Sequence, residues 1–232
     1  MGTLFVIATP IGNLEDTSFR VVRVLGEVDA LACEDTRMTR RLLDRYEISA
    51  PRTLFSYHEH NEEQAGRRIL GLLNEGLSVG LCSDGGCPGI SDPGYRIIRD
   101  AREAGHHVDI LPGPTAVTTA LLASGLSTAS FTFKGFPPRK SGARQRWLAA
   151  DACLPHTMVI YESPFRVGKL LADAHEALGN RLAAVCIELT KKFERVERGY
   201  LADLAAAYSD KTVKGEVCVV ISGDNPKFAH PV

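Results

Sequence analysis

The chain has 232 residues, of which 44% are hydrophobic and 24% are charged, and its formal net charge at pH 7 is −1. This is an ordinary globular composition, with enough length for one large domain or two small ones. A net charge near zero excludes a strong overall attraction to polyanions, so a nucleic-acid partner would need a local basic patch. The six cysteines form no C-x-x-C pair and most lie in apolar runs, which favours buried, reduced thiols.

The first residues of the chain lead directly into an apolar, strand-like run, so we expect no signal peptide. No apolar run is long enough to span a bilayer. These two features predict a cytoplasmic protein that contacts no membrane.

Apolar runs alternate with helical patterns through the first half of the chain. Strands are predicted over 4–9, 30–33, 79–82 and 108–111, and helices over 18–25, 36–46, 62–74 and 95–103. Such alternation predicts a parallel sheet with helices on both faces. Prolines and a glycine at 111–114 interrupt the pattern, so we expect two α/β domains, formed by residues 1–113 and 114–232.

The second half is predicted to open with a helix of small residues over 115–124. Further strands are expected over 130–133, 158–161, 184–187 and 216–221, and further helices over 143–150, 167–177 and 202–207. The tail over 225–232 is expected to be loosely held.

The most informative segment is the glycine-rich run over 83–94, between a predicted strand and a predicted helix. In an open α/β sheet, ligands bind at the carboxyl ends of the strands. Four glycines let the backbone approach a ligand closely, two prolines stiffen the loop, and Asp84 and Asp92 supply carboxylates. A ligand site is therefore favoured over a plain turn. The first strand ends without the G-x-G-x-x-G pattern, which argues against a standard nicotinamide enzyme.

Charged residues follow several other predicted strands. Glu34 and Asp35 suit either a functional role or a helix cap, and the two interpretations are evenly balanced. Glu188 and Lys192 are candidates for positioning a hydroxyl group or adjusting its proton affinity, and they would pair if the chain is helical there. Their alternative roles are capping and a surface ion pair.

Two further segments each allow two interpretations. The run over 136–147 carries four cations beside Trp147, which suits either a phosphate backbone with a stacked base or a solvated helix face. The histidines of the run over 57–61 raise the possibility of a metal site, but a polar loop is favoured because no other ligand motif supports a metal.

Taken together, the motifs of this chain resemble those of the bacterial ribosomal RNA small-subunit ribose methyltransferase I family, within the tetrapyrrole methylase superfamily. The runs are ATPIGNL at 8–14, EDTR at 34–37, SDGGCPGISDPG at 83–94, LPGPTA at 111–116, SGL at 124–126, GFPP at 135–138, YESPFR at 161–166, ELTK at 188–191 and KGE at 214–216. The resemblance extends in order from about residue 4 to about residue 223. The family usually has alanine and threonine where this chain has Gly85 and Cys87.

The resemblance implies two α/β domains with S-adenosylmethionine in the cleft between them, a homodimer, and transfer of a methyl group to the 2′-hydroxyl of a cytidine in the decoding region of 16S ribosomal RNA. The cofactor contacts that it implies are Pro10, Asp84, Gly86, Cys87, Thr115, Ala116, Tyr161, Leu189 and Gly215. The candidates for the catalytic step are Asp35, Glu188 and Lys192, and the candidates for RNA contacts are Arg37, Arg139, Lys140, Arg144 and Arg146. No metal is required for this chemistry.

Two other functions are compatible with the same fold. One is C-methylation of a tetrapyrrole, although such an enzyme would have little use for the basic segment over 139–147. The other is a cofactor-binding module without catalysis.

Overall fold

The computed structural model describes residues 1–225, so most of the tail predicted to be loosely held lies outside the described residues. The chain divides into two compact units between Thr115 and Ala116. None of the described helices is long and apolar enough to cross a membrane.

The first unit is built on a five-stranded sheet in which every pairing is parallel, with the strand order β3-β2-β4-β1-β5. The strands are β1 (Thr3–Ile7), β2 (Ala30–Cys33), β3 (Thr53–Ser56), β4 (Ser78–Cys82) and β5 (His107–Leu111). The predicted parallel sheet is confirmed, with β3 as an additional edge strand.

Helices cover both faces of this sheet. Successive strand residues face opposite sides, so strands that are apolar throughout present an apolar surface on each face. They are α1 (Phe19–Glu27), α2 (Thr36–Arg45), α3 (Glu62–Asn74) and α4 (Tyr95–Glu103). One core joins Val6 to Ile69 of α3 and Ile97 of α4. A second core joins Ile7 of the same strand to Val24 of α1. The sheet is therefore buried on both sides, as its nearly continuous apolar strands predict.

The second unit contains a mixed sheet with the order β6-β7-β10-β8-β9. Its strands are β6 (Phe131–Phe133), β7 (Thr157–Glu162), β8 (Leu182–Ile187), β9 (Arg195–Tyr200) and β10 (Val217–Ile221). Strands β6 and β7 are parallel, whereas β10 runs antiparallel to β7 and β8, and β9 antiparallel to β8.

The helices of the second unit are α5 (Ala116–Ser124), α6 (Ser141–Ala149), α7 (Val167–Leu178) and α8 (Leu201–Tyr208). Helices α6, α7 and α8 share one core, which contains Leu148, Leu170 and Leu204. Helix α5 lies against β8, where the Cys186 thiol donates to the Ala120 carbonyl at 3.8 Å.

In each sheet, the predicted functional segments lie together at one end of the strands. In the first unit, the segments after β1, β2, β4 and β5 all leave the carboxyl ends of parallel strands. In the second unit, antiparallel pairing sets Val217 at the start of β10 opposite Glu162 at the end of β7 and Ile187 at the end of β8. The segments at 161–166, 188–191 and 214–216 therefore neighbour one another.

Candidate active site

The glycine-rich loop after β4 is tied to the end of β1. Thr9 and Gly86 exchange two backbone hydrogen bonds, each of 2.9 Å between N and O. The Thr9 hydroxyl also donates to the Ser83 carbonyl at 3.0 Å. Gly86 has a φ of +88°, which strongly favours glycine. The loop is therefore part of the unit's structure and does not extend freely into solvent.

The second part of the same loop closes on itself. Gly89 N–H donates to the Pro93 carbonyl at 3.2 Å. A Cβ atom on Gly94, which has a φ of +146°, would lie 2.8 Å from the Gly89 nitrogen. Ser91 also has a positive φ of 62°. Such conformations persist where the surrounding structure holds them, often at ligand sites.

Three carboxylates meet where β2 and β4 end. The Asp84 carboxylate accepts the Asp35 N–H at 3.0 Å, and the Glu34 carboxylate accepts the Asp84 N–H at 3.3 Å. Loss of solvent and the negative charges of Glu34 and Asp35 raise the pKa of Asp84, although the Asp35 N–H acts in the opposite direction. A cationic group placed here would relieve that repulsion. We call Glu34, Asp35 and Asp84 the acidic edge.

Asp35 is the N-cap residue of α2. Its carboxylate accepts the Arg37 N–H at 2.8 Å and forms an ion pair with the Arg37 guanidinium at 2.6 Å. The Arg37 side chain and backbone hydrogen bonds lower the pKa of Asp35 to about 2. The capping role of Asp35 is thus confirmed, and its carboxylate is a weak proton acceptor. Arg37 remains exposed.

The other predicted cofactor residues of the first unit lie beside this loop. The Cys87 thiol donates to the Pro114 carbonyl at 4.0 Å, and Thr115 follows Pro114 directly. Pro10 is buried, and its carbonyl lies 3.3 Å from the position that a Cβ on Gly85 would occupy. The structure therefore brings the ends of β1, β4 and β5 together around one loop.

In the second unit, Glu188 is held by groups from two segments. Its Oε1 accepts from the Lys191 ammonium and from the Glu216 N–H, both at 2.9 Å. Burial alone would raise the pKa of Glu188, but these two donors outweigh it and hold the pKa below its ordinary value. Gly215 leaves room for this carboxylate, because a Cβ there would lie 2.3 Å from Oε1.

Glu188 does not pair with Lys192, because the chain is not helical there, as that pairing would require. The segment forms tight turns, with Glu188 and Thr190 at φ values of 53° and 65°, so residues four apart do not share a helix face. Lys191, three residues along, makes the ion pair and also contacts the Glu216 carboxylate at 2.8 Å. Lys192 is exposed, with its ammonium 5.7 Å from the centre of the Phe193 ring.

Tyr161 is surrounded by aromatic side chains at the end of β7. Its ring packs edge to face with those of Phe133 and Phe136, with centres 4.8 and 5.7 Å away. The Phe136 side chain is 57% exposed, so this cluster opens to solvent on one side. Leu189 is buried, whereas Ala116 is half-buried at the start of α5.

The basic segment is only partly a surface feature. Arg139, Lys140 and Arg146 are exposed and so stay candidates for phosphate contacts. The prediction for Arg144 is wrong, because its side chain is 3% exposed and forms an ion pair with Asp173 of α7.

Sequence reasoning named Glu34 together with Asp35, but it missed two site residues, Lys191 and Glu216. Lys191 and Glu216 interact across 25 positions of sequence, and no local pattern marks that pairing. Within residues 1–225, no group of three or more histidine, cysteine, aspartate or glutamate side chains is arranged to hold a metal ion.

Comparison with known families identifies the chain. A family model for the tetrapyrrole (corrin/porphyrin) methylases matches residues 3–205. A relative from Halalkalibacterium halodurans, named ribosomal RNA small subunit methyltransferase I, is 45% identical over 226 residues, 97% of this chain and 78% of the relative. The chain belongs to that methyltransferase family.

Two further members of the family show how completely the chain matches. The Bacillus subtilis member is 43% identical, with 97% of this chain and 76% of the relative covered. The Thermotoga maritima member is 40% identical, with 96% and 99% covered. The family resemblance carried by the nine sequence runs is confirmed.

Solved structures support the fold. Diphthine synthase matches with a TM-score of 0.75 at 14% identity, over 99% of this chain and 92% of that one. Uroporphyrin-III C-methyltransferase from Thermus thermophilus, in complex with S-adenosylhomocysteine, matches with a TM-score of 0.66 at 17% identity, over 96% and 98%. The two-unit α/β fold is therefore that of the tetrapyrrole methylases.

Proposed function

We propose that this protein transfers a methyl group from S-adenosylmethionine to the 2′-hydroxyl of a cytidine in the decoding region of 16S ribosomal RNA. The observation that carries the proposal is the 45% identity, over 97% of the chain, with a ribosomal RNA small subunit methyltransferase I. The folded loop at 83–94 and the exposed cations Arg139, Lys140 and Arg146 support it, since the reaction needs a cofactor site and an RNA surface.

The chemistry of the first unit's edge fits this cofactor. S-adenosylmethionine supplies an electrophilic methyl group and carries both a sulfonium and an ammonium charge. The acidic edge offers carboxylates to a cation. Loss of solvent, together with the negative charges of Glu34 and Asp35, raises the pKa of Asp84, and a bound cation would offset those charges. Proposed contacts in the first unit are Pro10, Asp84, Gly86, Cys87 and Thr115. Those in the second unit are Ala116, Tyr161, Leu189 and Gly215.

The protein's main contribution to methyl transfer is alignment of the acceptor hydroxyl. Asp35 and Glu188 are each occupied by cationic or N–H donors, which hold their pKa values low and make them weak bases. We therefore propose that these two carboxylates position groups, and that solvent or the RNA takes the proton. Lys192 is free of the Glu188 pairing and could stabilise negative charge on the acceptor oxygen.

Single-turnover rates test these roles in Asp35→Asn, Glu188→Gln and Lys192→Met, measured with saturating cofactor and RNA. We expect each rate to stay within about tenfold of the wild-type rate, since a true general base contributes about 10²–10⁴. A loss within that larger range in Asp35→Asn or Glu188→Gln would identify that carboxylate as the base and overturn the positioning proposal, whereas such a loss in Lys192→Met would show that its ammonium stabilises charge on the acceptor oxygen.

Primer extension at low nucleotide concentration tests the RNA target. Ribosomal RNA from a strain that lacks this protein is compared with RNA from the same strain carrying the wild-type gene or the Asp84→Ala variant. We expect the stop at the decoding-region cytidine to disappear without the protein and to return only with the wild-type gene. A stop that persists in the deletion strain would contradict the assignment.

Calorimetry tests cofactor binding directly. We expect micromolar affinity for S-adenosylmethionine, about −7 to −8 kcal/mol, and weaker binding by Asp84→Ala. Asp44→Ala, which removes an exposed carboxylate on α2, is the matched control and should bind normally. Absence of binding in the millimolar range would favour a module without catalysis, and unchanged affinity in Asp84→Ala would remove that residue from the site.

Tetrapyrrole C-methylation is the weaker alternative. The solved tetrapyrrole methyltransferases that match this chain are 16–20% identical to it, a level that reports the fold alone. Methyl transfer from labelled cofactor to uroporphyrinogen III, with none to small ribosomal subunits, would establish this alternative.

We also infer a homodimer that works in the cytoplasm, where its ribosomal substrate is assembled. Large apolar side chains such as Phe19 (96% exposed), Phe165 (84%) and Phe193 (71%) would gain from burial in a dimer. Light scattering coupled to size-exclusion chromatography should give twice the 25.2 kDa chain mass. A single-chain mass at micromolar concentration would contradict the dimer.

A further inference from the structure

Arg144 differs from the other cations of the basic segment because it is buried. Helix α6 directs it toward α7, where its Nε donates to Asp173 Oδ2 at 2.6 Å and its Nη2 pairs with the same oxygen. Asp173 Oδ1 accepts from the Ser141 hydroxyl at 2.7 Å and from the Gln145 amide at 3.1 Å. One carboxylate on α7 therefore accepts hydrogen bonds from three side chains of α6.

The third guanidinium nitrogen of Arg144 contacts the backbone of the segment before α6. Its Nη1 donates to the Pro138 carbonyl at 3.3 Å and to the Arg139 carbonyl at 3.1 Å. These carbonyls belong to residues 136–140, which we call the basic loop. One guanidinium thus connects the backbone of this loop to a carboxylate on α7.

The basic loop carries exposed groups that suit single-stranded RNA. Arg139 and Lys140 are exposed cations, and Phe136 is an exposed aromatic ring on the same loop. Cations beside an aromatic surface can bind phosphates and stack a base.

We propose that Arg144 is a positioning residue for RNA binding. It holds the basic loop in the shape that presents Arg139 and Lys140 to ribosomal RNA phosphates and Phe136 to a base, without touching the RNA itself. This inference rests on the proposed function.

The choice of arginine supports a positioning role. A buried ion pair adds little net stability compared with apolar residues of similar volume, so stability alone does not explain Arg144. Its planar guanidinium carries five N–H donors and can bond a carboxylate and two carbonyls at once, which a lysine ammonium cannot do with the same geometry.

The test compares Arg144→Met, Arg139→Gln/Lys140→Gln and the combined triple variant. Binding of unmethylated small ribosomal subunits is measured at several salt concentrations. We expect Arg144→Met to lower the salt slope by about 1.4, the value for two lost single-strand phosphate contacts, although Arg144 touches no phosphate. In the triple variant, loss of Arg139 and Lys140 should change the salt slope little further, because Arg144→Met has already removed their phosphate contacts.

Arg146→Gln is the matched control, since it removes an exposed arginine from the same helix. Its effect on the slope should be about 0.7 and should add to that of Arg144→Met. Calorimetry should show unchanged affinity for S-adenosylmethionine in Arg146→Gln and in Arg139→Gln/Lys140→Gln, because neither variant alters the contact between Phe136 and Tyr161. Asp173→Asn, which keeps the side-chain volume, is a second way to loosen the loop should Arg144→Met fold poorly.

Amide hydrogen exchange separates this inference from the proposed function. Arg144→Met should speed exchange in peptides covering 136–143 and leave the first unit unchanged. Failure of wild-type protein to bind or methylate small subunits would refute the RNA substrate, while the exchange result would still decide the loop's dependence on Arg144. Unchanged exchange in 136–143, or fully additive losses in the triple variant, would overturn the positioning role.

Discussion

At the scale of single residues, Glu188 and Gly215 depend on each other. The Glu188 carboxylate occupies the space that a side chain at position 215 would fill, and Gly215 has a φ of +90°. Glu188 itself has a φ of 53°, a conformation uncommon for a residue with a side chain. Two bonds to its carboxylate hold this arrangement, so the strain is localised at a candidate functional position.

The Gly215→Ala variant should be strained at its positive φ, and its Cβ should displace the Glu188 carboxylate from the two hydrogen bonds that it accepts. We expect it to lower the free energy of unfolding by about 1–3 kcal/mol more than Gly179→Ala does, the cost of leaving a polar group unpaired. Gly179 is the matched control because its φ is +76° and nothing lies within 4 Å of its Cβ position. Urea denaturation of both variants makes the comparison, and equal losses would mean that Glu188 moves aside at no cost.

The pH dependence of Glu188 follows from its lowered pKa. A carboxyl whose folded pKa lies below its ordinary value of 4.5 stabilises the protein above that value and loses the contribution as pH falls through the folded pKa. Glu188→Gln should therefore cost about 2 kcal/mol at pH 7, the range for hydrogen bonds to a charged group. The difference from wild type should shrink below pH 4.5. Urea denaturation at pH 7 and pH 3.5 checks this, and a constant difference would contradict it.

At the scale of elements, two edge strands escaped prediction. β3 is four residues long and half-buried throughout, so it lacks the apolar run that marked its neighbours. β9 contains Arg195, Glu197 and Arg198, and its sequence looks like a charged loop. Both strands lie at sheet edges, where pairing with one neighbour decides the conformation and few side chains are buried.

The start of α2 offers a test that separates capping from chemistry. Asp35→Ala should lower stability by about 1 kcal/mol, whereas Asp35→Asn should retain most of it, because asparagine caps helices as well as aspartate does and an ion pair with the exposed Arg37 adds little. Thermal unfolding measures both variants. A large activity loss in Asp35→Asn at wild-type stability would show that the negative charge itself matters to the reaction, beyond its capping role.

At the scale of the whole molecule, each unit has its own sheet and core. The proposed cofactor contacts include residues of both units. A ligand at 100 times its dissociation constant stabilises the folded state that binds it by about 2.7 kcal/mol. S-adenosylmethionine should therefore raise the midpoint temperature of every unfolding transition that scanning calorimetry resolves. A shift confined to one of two transitions would mean that only one unit holds the cofactor.

Much of the fold was predictable from the sequence by itself. The bounds of α3 and α4 match the prediction, and the parallel sheet of the first unit follows from the alternation of apolar runs with helices. The glycine-rich segment after β4 was recognisable as a built loop, since glycines at positive φ and stiffening prolines are local properties. Local backbone preference and hydrophobic periodicity depend on residues that are close in sequence, so they can be predicted without knowledge of the tertiary contacts.

Tertiary structure alone decided the roles of the charged residues. Arg144 and Arg146 are arginines two positions apart in the same helix, yet Arg144 is buried against Asp173 and Arg146 is exposed. Lys191 rather than Lys192 meets Glu188, because the chain there turns instead of continuing as a helix. In the second sheet, β10 enters between β7 and β8 from a distant part of the chain and pairs antiparallel with both. Each outcome depends on groups brought close from far apart in sequence, and burial and charge pairing are properties of that neighbourhood.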